Sequence, residues 1–216
     1  MHLTKLIFAT TALAVVAVAQ NPITADSPFQ VRYASNLTAG DSVINITNTG
    51  ANGASLFGPG FGGAVGNICV NVYAFSPDEQ LVSCCSCLVT PDGLVSLSVV
   101  NDLISNTLTG VRPSSVVVKL ISTIAGTGGS GTSCTNSAAT ASFPALAIGL
   151  AAWGTTIHAS AAGFATTETA FTPSSLSVGE LASVTNRCQN IIGNGSTFGI
   201  CRSCRAGGLG AGRTAN

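Results

Sequence analysis

Charge is what this chain has least of. Asp, Glu, Lys and Arg make up 7% of its 216 residues, against about a quarter in an ordinary globular domain. The formal net charge is zero, so no broad field draws the chain toward nucleic acid. Lysine occurs only at Lys5 and Lys119, and histidine only at His2 and His158. Trp153, Tyr33 and Tyr73 are the full Trp/Tyr set, which weighs against a sugar site built on stacked aromatics. No GxSxG nucleophile elbow is present; the nearest run, Gly128-Gly129-Ser130-Gly131, fails at the final position. No glycine loop has the strand–helix context and lysine that a phosphate cradle needs. Beyond the N-terminal run no stretch is long enough to span a bilayer, which takes about 20 apolar residues. Residues 143–153 (FPALAIGLAAW) come nearest and fall short.

So few charges give poor colloidal solubility unless the surface is covered by partner subunits, a cell surface or glycans. A hydrophobic content of 46% with many β-branched residues argues against disorder.

The chain opens MHLTKLIFATTALAVVAVAQ. Lys5 supplies a positive start, Leu6 to Val18 an apolar run, and Ala17-Val18-Ala19 the small-x-small cleavage pattern. Residues 1–19 therefore read as a secretory signal peptide, the run being too short for a membrane anchor. The expected organisation is an extended segment over 20–28, one β-rich domain over 29–204 and a flexible Gly-rich tail over 205–216. The destination is extracellular space, cell surface or periplasm.

Eight cysteines follow the leader: Cys69, Cys84, Cys85, Cys87, Cys134, Cys188, Cys201 and Cys204. An even number in an exported chain reads as disulfides. Cys84-x-x-Cys87 and Cys201-x-x-Cys204 resemble zinc-ribbon arithmetic, but they lie too far apart in sequence for a ribbon. A redox CxxC would need a βα unit behind Cys204, and too little chain follows. The expectation is disulfides at all eight, with no metal, no cofactor and no catalytic residue.

Strand signals recur along the chain. Residues 29–35 and 41–48 read as strands around a turn, and 49–66 as a glycine-rich loop. Residues 67–75, 80–90 and 94–100 form an antiparallel meander. Its turns are Ser76-Pro77-Asp78-Glu79 and Thr90-Pro91-Asp92-Gly93, with Gly93 free to take positive φ. Helical turns are expected over 101–108 with Asn101 as N-cap, then strands over 114–124, 153–160 and 164–171. Ser177 and Glu180 form a capping box, and Leu181, Val184, Cys188 and Ile191 an apolar helical stripe closed by Gly193. The predicted fold is mainly β: an antiparallel β-sandwich of about eight strands with one helix toward the C-terminus, stapled by disulfides.

Strand alternation turns Cys84 away from Cys85 and Cys87. In the first hairpin, positions summing to about 155 face each other. Cys69 then lands within a residue of Cys85 and Cys87, predicting a bond to one of them. Cys188, Cys201 and Cys204 would staple helix and tail onto the meander.

Other chemistry finds little footing. His158 is a lone strand histidine, and nothing local joins it to Asp41 or Asp102 as a triad. Asp78, Glu79 and Asp92 sit in turns for backbone reasons, leaving no convincing carboxylate pair for glycoside hydrolysis or calcium. Arg187, Arg202, Arg205 and Arg213 make a locally basic end that serves solubility and local ion pairing. Asn36-Leu37-Thr38, Asn45-Ile46-Thr47 and Asn194-Gly195-Ser196 match the glycosylation acceptor.

These features point first to a secreted structural or cell-surface protein, a subunit of an extracellular assembly or coat. Its partners would be further copies or other cell-surface components, not nucleic acid, and no transmembrane span remains after leader cleavage. The segment Gln20 to Gln30 could add a strand to a neighbour. The alternative is a glycan- or ligand-binding β-sandwich module, and third a secreted hydrolase using His158.

Overall fold

A computed structural model describes residues 27–57, 65–135, 145–161, 163–202 and 204–206. The predicted signal peptide lies outside these, as do residues 20–26 of the extended segment and 207–216 of the tail.

The fold is mainly β, as predicted: two antiparallel sheets and one α-helix. The strands are β1 (Phe29–Ala34), β2 (Ser42–Asn48), β3 (Ile68–Phe75), β4 (Leu81–Val89), β5 (Leu94–Ser98), β6 (Val116–Ile124), β7 (Leu150–Ser160), β8 (Gly163–Ala170), and the two-residue β9 (Thr172–Pro173) and β10 (Arg205–Ala206). Sheet 1 runs β4-β3-β6-β1-β9, and sheet 2 runs β10-β5-β2-β7-β8. The helix α1 is Val178–Gly193.

Alternation builds three layers. On sheet 1, Val70, Val72, Cys85, Cys87, Val118 and Leu120 point inward to meet Ile44, Ile46, Leu97 and Leu150 of sheet 2. The opposite side of sheet 1 presents Tyr73, Phe75, Cys84 and Ile121 to the helix stripe of Leu181, Val184, Cys188 and Ile191. Each such aliphatic side chain, fully buried, contributes about 1.5–3 kcal/mol. Sheet 1 is thus buried on both faces, and α1 lies over its outer one.

The capping box half forms. Ser177 Oγ accepts the Glu180 amide at 3.0 Å. Glu180 does not complete the box: its carboxylate pairs with Lys119 on β6. The helix runs through Gly193, with Asn194 as C-cap.

Several local expectations are corrected. The third meander strand ends at Ser98, and Ser98 rather than Asn101 caps the following π-helical turn, Val99–Leu103, its Oγ accepting the Asn101 amide. In the second turn positive φ falls on Asp92. Gly93 is needed there for space, since a Cβ would stand 3.0 Å from the Thr90 carbonyl oxygen. Phe29 and Gln30 are not free for a neighbour: they pair within the chain, on the strand between β6 and β9. Arg205 and Ala206, placed in the tail by sequence, pair with β5.

Candidate functional site

The cysteines account for the stapling. All eight are paired: Cys69–Cys134, Cys84–Cys188, Cys85–Cys201 and Cys87–Cys204, with Cα–Cα separations of 5.7, 5.9, 5.3 and 5.7 Å. As alternation demands, Cys84 faces the helix and Cys85 and Cys87 face the inter-sheet core. Helix and tail are stapled to β4, as expected.

The predicted bond from Cys69 to Cys85 or Cys87 is wrong. The hairpin register sets Cys69 opposite Leu88. Directly opposed residues share a face, so Cys69 points with Cys84 and away from Cys85 and Cys87. It bonds Cys134 in the loop beyond β6 instead. The zinc spacing also regroups: among the described residues the sulfurs that cluster within 4.8 Å are those of Cys85, Cys87 and Cys204, without Cys84. Each of the three is already in a disulfide.

These bonds close an edge. The Cys84 amide donates to Gly199 O at 2.9 Å, Cys201 N to Cys84 O at 3.2 Å, and Leu108 N to Val82 O at 2.9 Å. The outer backbone of β4 is thereby occupied at Val82 and Cys84.

The charged groups near α1 are committed to packing. Lys119 Nζ, paired with Glu180, stands 4.7 Å from the Phe75 ring centroid. Arg187 lies at 5.9 Å from the same ring and donates to Glu79 O at 2.9 Å. Glu79 holds that turn at a positive φ of 65°. Together they pin the helix to the first hairpin.

Arg32 is the most unusual charge. It is buried between the sheets, and burial alone lowers its pKa from the ordinary value. Its guanidinium donates to Ser42, Thr156 and Thr169 hydroxyls at 2.8, 2.9 and 3.2 Å. Among the described residues Lys119–Glu180 is the one ion pair, so hydroxyls rather than a carboxylate hold Arg32. It fits because position 154 is glycine: a Cβ there would meet the guanidinium at 1.8 Å.

The side of sheet 2 that faces away from the core is different. Register places Asn45 opposite Ser96 and Trp153, Trp153 opposite Ala170, and Thr155 opposite Glu168. These share the outer face, since Ile44 and Ile46 take the inner one. Trp153 is 37% exposed there. Beside it runs a hydrogen-bonded row: Ser96 to Asn45 at 2.6 Å, Asn45 to Thr155 at 3.1 Å, Thr155 to Glu168 at 3.1 Å. All eight residues of β8 are exposed.

His158 lies in the outer part of this hairpin, exposed, sharing a 3.1 Å bond with Thr167. Asp41 accepts from Ser98 Oγ and from the Ser42 and Val100 amides. Asp102 accepts the Ser98 amide. The two carboxylates thus brace the turn after β5. Of the glycosylation acceptors, Asn36 and Asn194 are exposed, whereas Asn45 is mid-strand with its amide engaged. Arg202 is exposed, and Arg213 lies outside the described residues.

Sequence reasoning missed the row around Asn45, Thr155 and Glu168. Period-two alternation is visible in AWGTTI and ATTETA, but the residues join only once register is known. No protein family, curated protein or solved structure matches the chain.

Proposed function

We propose that this chain is an exported, disulfide-stapled structural or surface protein that builds an extracellular assembly through the open edge of β8. The edge strand itself carries the reading. Sheets end in four edges, and three are blunted: β4 by the crossing chain, β9 by its two-residue length and Pro173, β10 by its two-residue length. β8 has eight residues, no proline, no lysine and one charge, Glu168. Among the described residues nothing pairs with its outer side. Soluble proteins blunt such an edge, because its free amides and carbonyls template pairing with another chain. Low overall charge and four disulfides suit a covered, extracellular setting. No helix among the described residues is long and apolar enough to cross a membrane.

A second copy is the simplest partner. Antiparallel β8–β8 pairing across a twofold through Thr166 sets that threonine against its own copy and Glu168 opposite Phe164, which keeps the two Glu168 side chains apart. Light scattering and negative-stain microscopy of the purified protein test this. Dimers or larger assemblies are expected, with Thr166→Lys returning them to monomers. A wild-type monomer at high concentration ends the proposal.

The second reading is a module that binds glycans or another surface ligand, favoured by the exposed Trp153 beside a polar row.

A further inference from the structure

We propose that the outer face of sheet 2 around Trp153 binds a neutral polysaccharide with equatorially linked pyranose rings. The proposal rests on the second reading above and gives it a face and a ligand chemistry.

Trp153 is the chain's sole tryptophan, and its row neighbours are Asn45 on β2 and Ala170 on β8. Along its own strand the flanking residues on that face are Ala151 and Thr155. Two alanines are too small to cover an indole, so apolar ring surface stays in water at 37% exposure. An indole suits the axial C–H faces of an equatorially substituted sugar ring, which offer a flat apolar patch.

The polar row supplies the rest, and its direction is determined. The Glu168 carboxylate only accepts, so the Thr155 hydroxyl must donate to it. Thr155 Oγ1 then accepts, which orients the Asn45 NH₂ toward Thr155 and its carbonyl toward the Ser96 hydroxyl. Every donor points the same way, so the bonds reinforce one another and hold the side chains in place. What remains for a ligand is an acceptor, the second Glu168 oxygen, and a donor, the second Asn45 amide hydrogen. Sugar hydroxyls donate and accept at once and match such a pair.

Charge selects among glycans. By register the charged residues of this face are Glu168, Asp41 at its end and, on β10 opposite Ser96, Arg205. Glu168 stands on the strand next to Trp153, whereas β5 and β2 separate Arg205 from it, so a uronate or sulfated ring on the indole meets a carboxylate first and neutral rings are admitted.

Because Trp153 is the single tryptophan, its emission reports the site directly. Cellohexaose, an equatorial β-linked probe, should shift or quench that emission saturably with Kd of about 0.1–5 mM. Maltohexaose should bind at least about tenfold more weakly, and polygalacturonate not at all. By calorimetry, Trp153→Ala should abolish cellohexaose binding, while Glu168→Gln and the isosteric Thr155→Val, which need not disturb the core, should each weaken it about three- to tenfold. Unchanged emission at about 10 mM cellohexaose overturns the proposal. Undiminished calorimetric binding in all three variants overturns this face while sparing the glycan reading. No oligosaccharide binding by either method removes both.

Discussion

Sheet 1 is buried on both faces and blunted at both edges, whereas sheet 2 leaves Trp153 exposed on its outer face and the β8 edge open. Every disulfide begins on β3 or β4 of sheet 1, and none includes a residue of sheet 2. The chain's described lysine and its helix are spent on sheet 1 as well. A surface that is stapled, capped and paired has little left for a partner. Sheet 2 keeps Trp153 and the whole of β8 in solvent, and that is where recognition has room.

The largest test of this contrast removes staples. Cys85→Ala with Cys201→Ala opens a link spanning 116 residues and should cost about 2–5 kcal/mol in urea unfolding. The Cys69–Cys134 link spans 65, and closure entropy separates the two by only about 0.5 kcal/mol. Similar losses for both pairs would locate the effect in the unfolded chain. A much larger loss for Cys85–Cys201 would locate it in β4 and the segment that seals its edge.

Next comes the boundary between the sheets. Gly154→Ala drives a methyl into the Arg32 guanidinium. The bonds to Ser42, Thr156 and Thr169 must shift in response, at a cost of about 1–3 kcal/mol. Thermal unfolding measures it. An unchanged midpoint would mean that this end of the sandwich yields freely, and the two sheets would then be tied mainly by their aliphatic core.

Where sequence and structure agree, the signal is local. The Ser177 cap, the apolar stripe of α1 and the split of Cys84 from Cys85 follow from periodicities of 3.6 and 2, which need no knowledge of other elements. The meander was legible for the same reason. The Cys69 partner was not, although parity alone excluded Cys85 and Cys87: residues opposed in one hairpin share a face, and Cys69 falls on the Cys84 side in the observed register as in the predicted one. Cys134 comes near only through the loop beyond β6. The row Ser96–Asn45–Thr155–Glu168 draws on four strands, β5, β2, β7 and β8. Three separate registers must be right before these residues meet, and a two-residue-period pattern carries no register between distant strands.

Sheet 1 also predicts a pH limit that sheet 2 does not share. Tyr73 lies fully buried under α1, and burial raises its pKa well above the ordinary 10.0 of a phenol, with the Thr185 hydroxyl pulling the other way. The folded chain therefore keeps the phenol proton where the unfolded chain loses it. This stability is complete below pH 10 and falls as pH rises above it, by about 1.4 kcal/mol per unit. Tyr73→Phe should flatten the alkaline limb of the stability profile. A profile identical to wild type would mean that the phenol reaches water under α1.

Thr166→Lys should have the smallest effect on the monomer and the most selective one on assembly. Thr166 is exposed on β8, far from any staple, so unfolding of the isolated chain should move by no more than about 0.5 kcal/mol. In a twofold β8–β8 pair the same lysine enters twice. Two ammonium groups then meet across the new ladder, where like charges directly opposed destabilise, and lysine on an edge strand blocks pairing in any case. A variant that unfolds like wild type yet no longer associates would separate the two sheets cleanly, stability on one and contact on the other. A variant that associates as before would move the interface off β8 and leave that edge without the partner proposed for it.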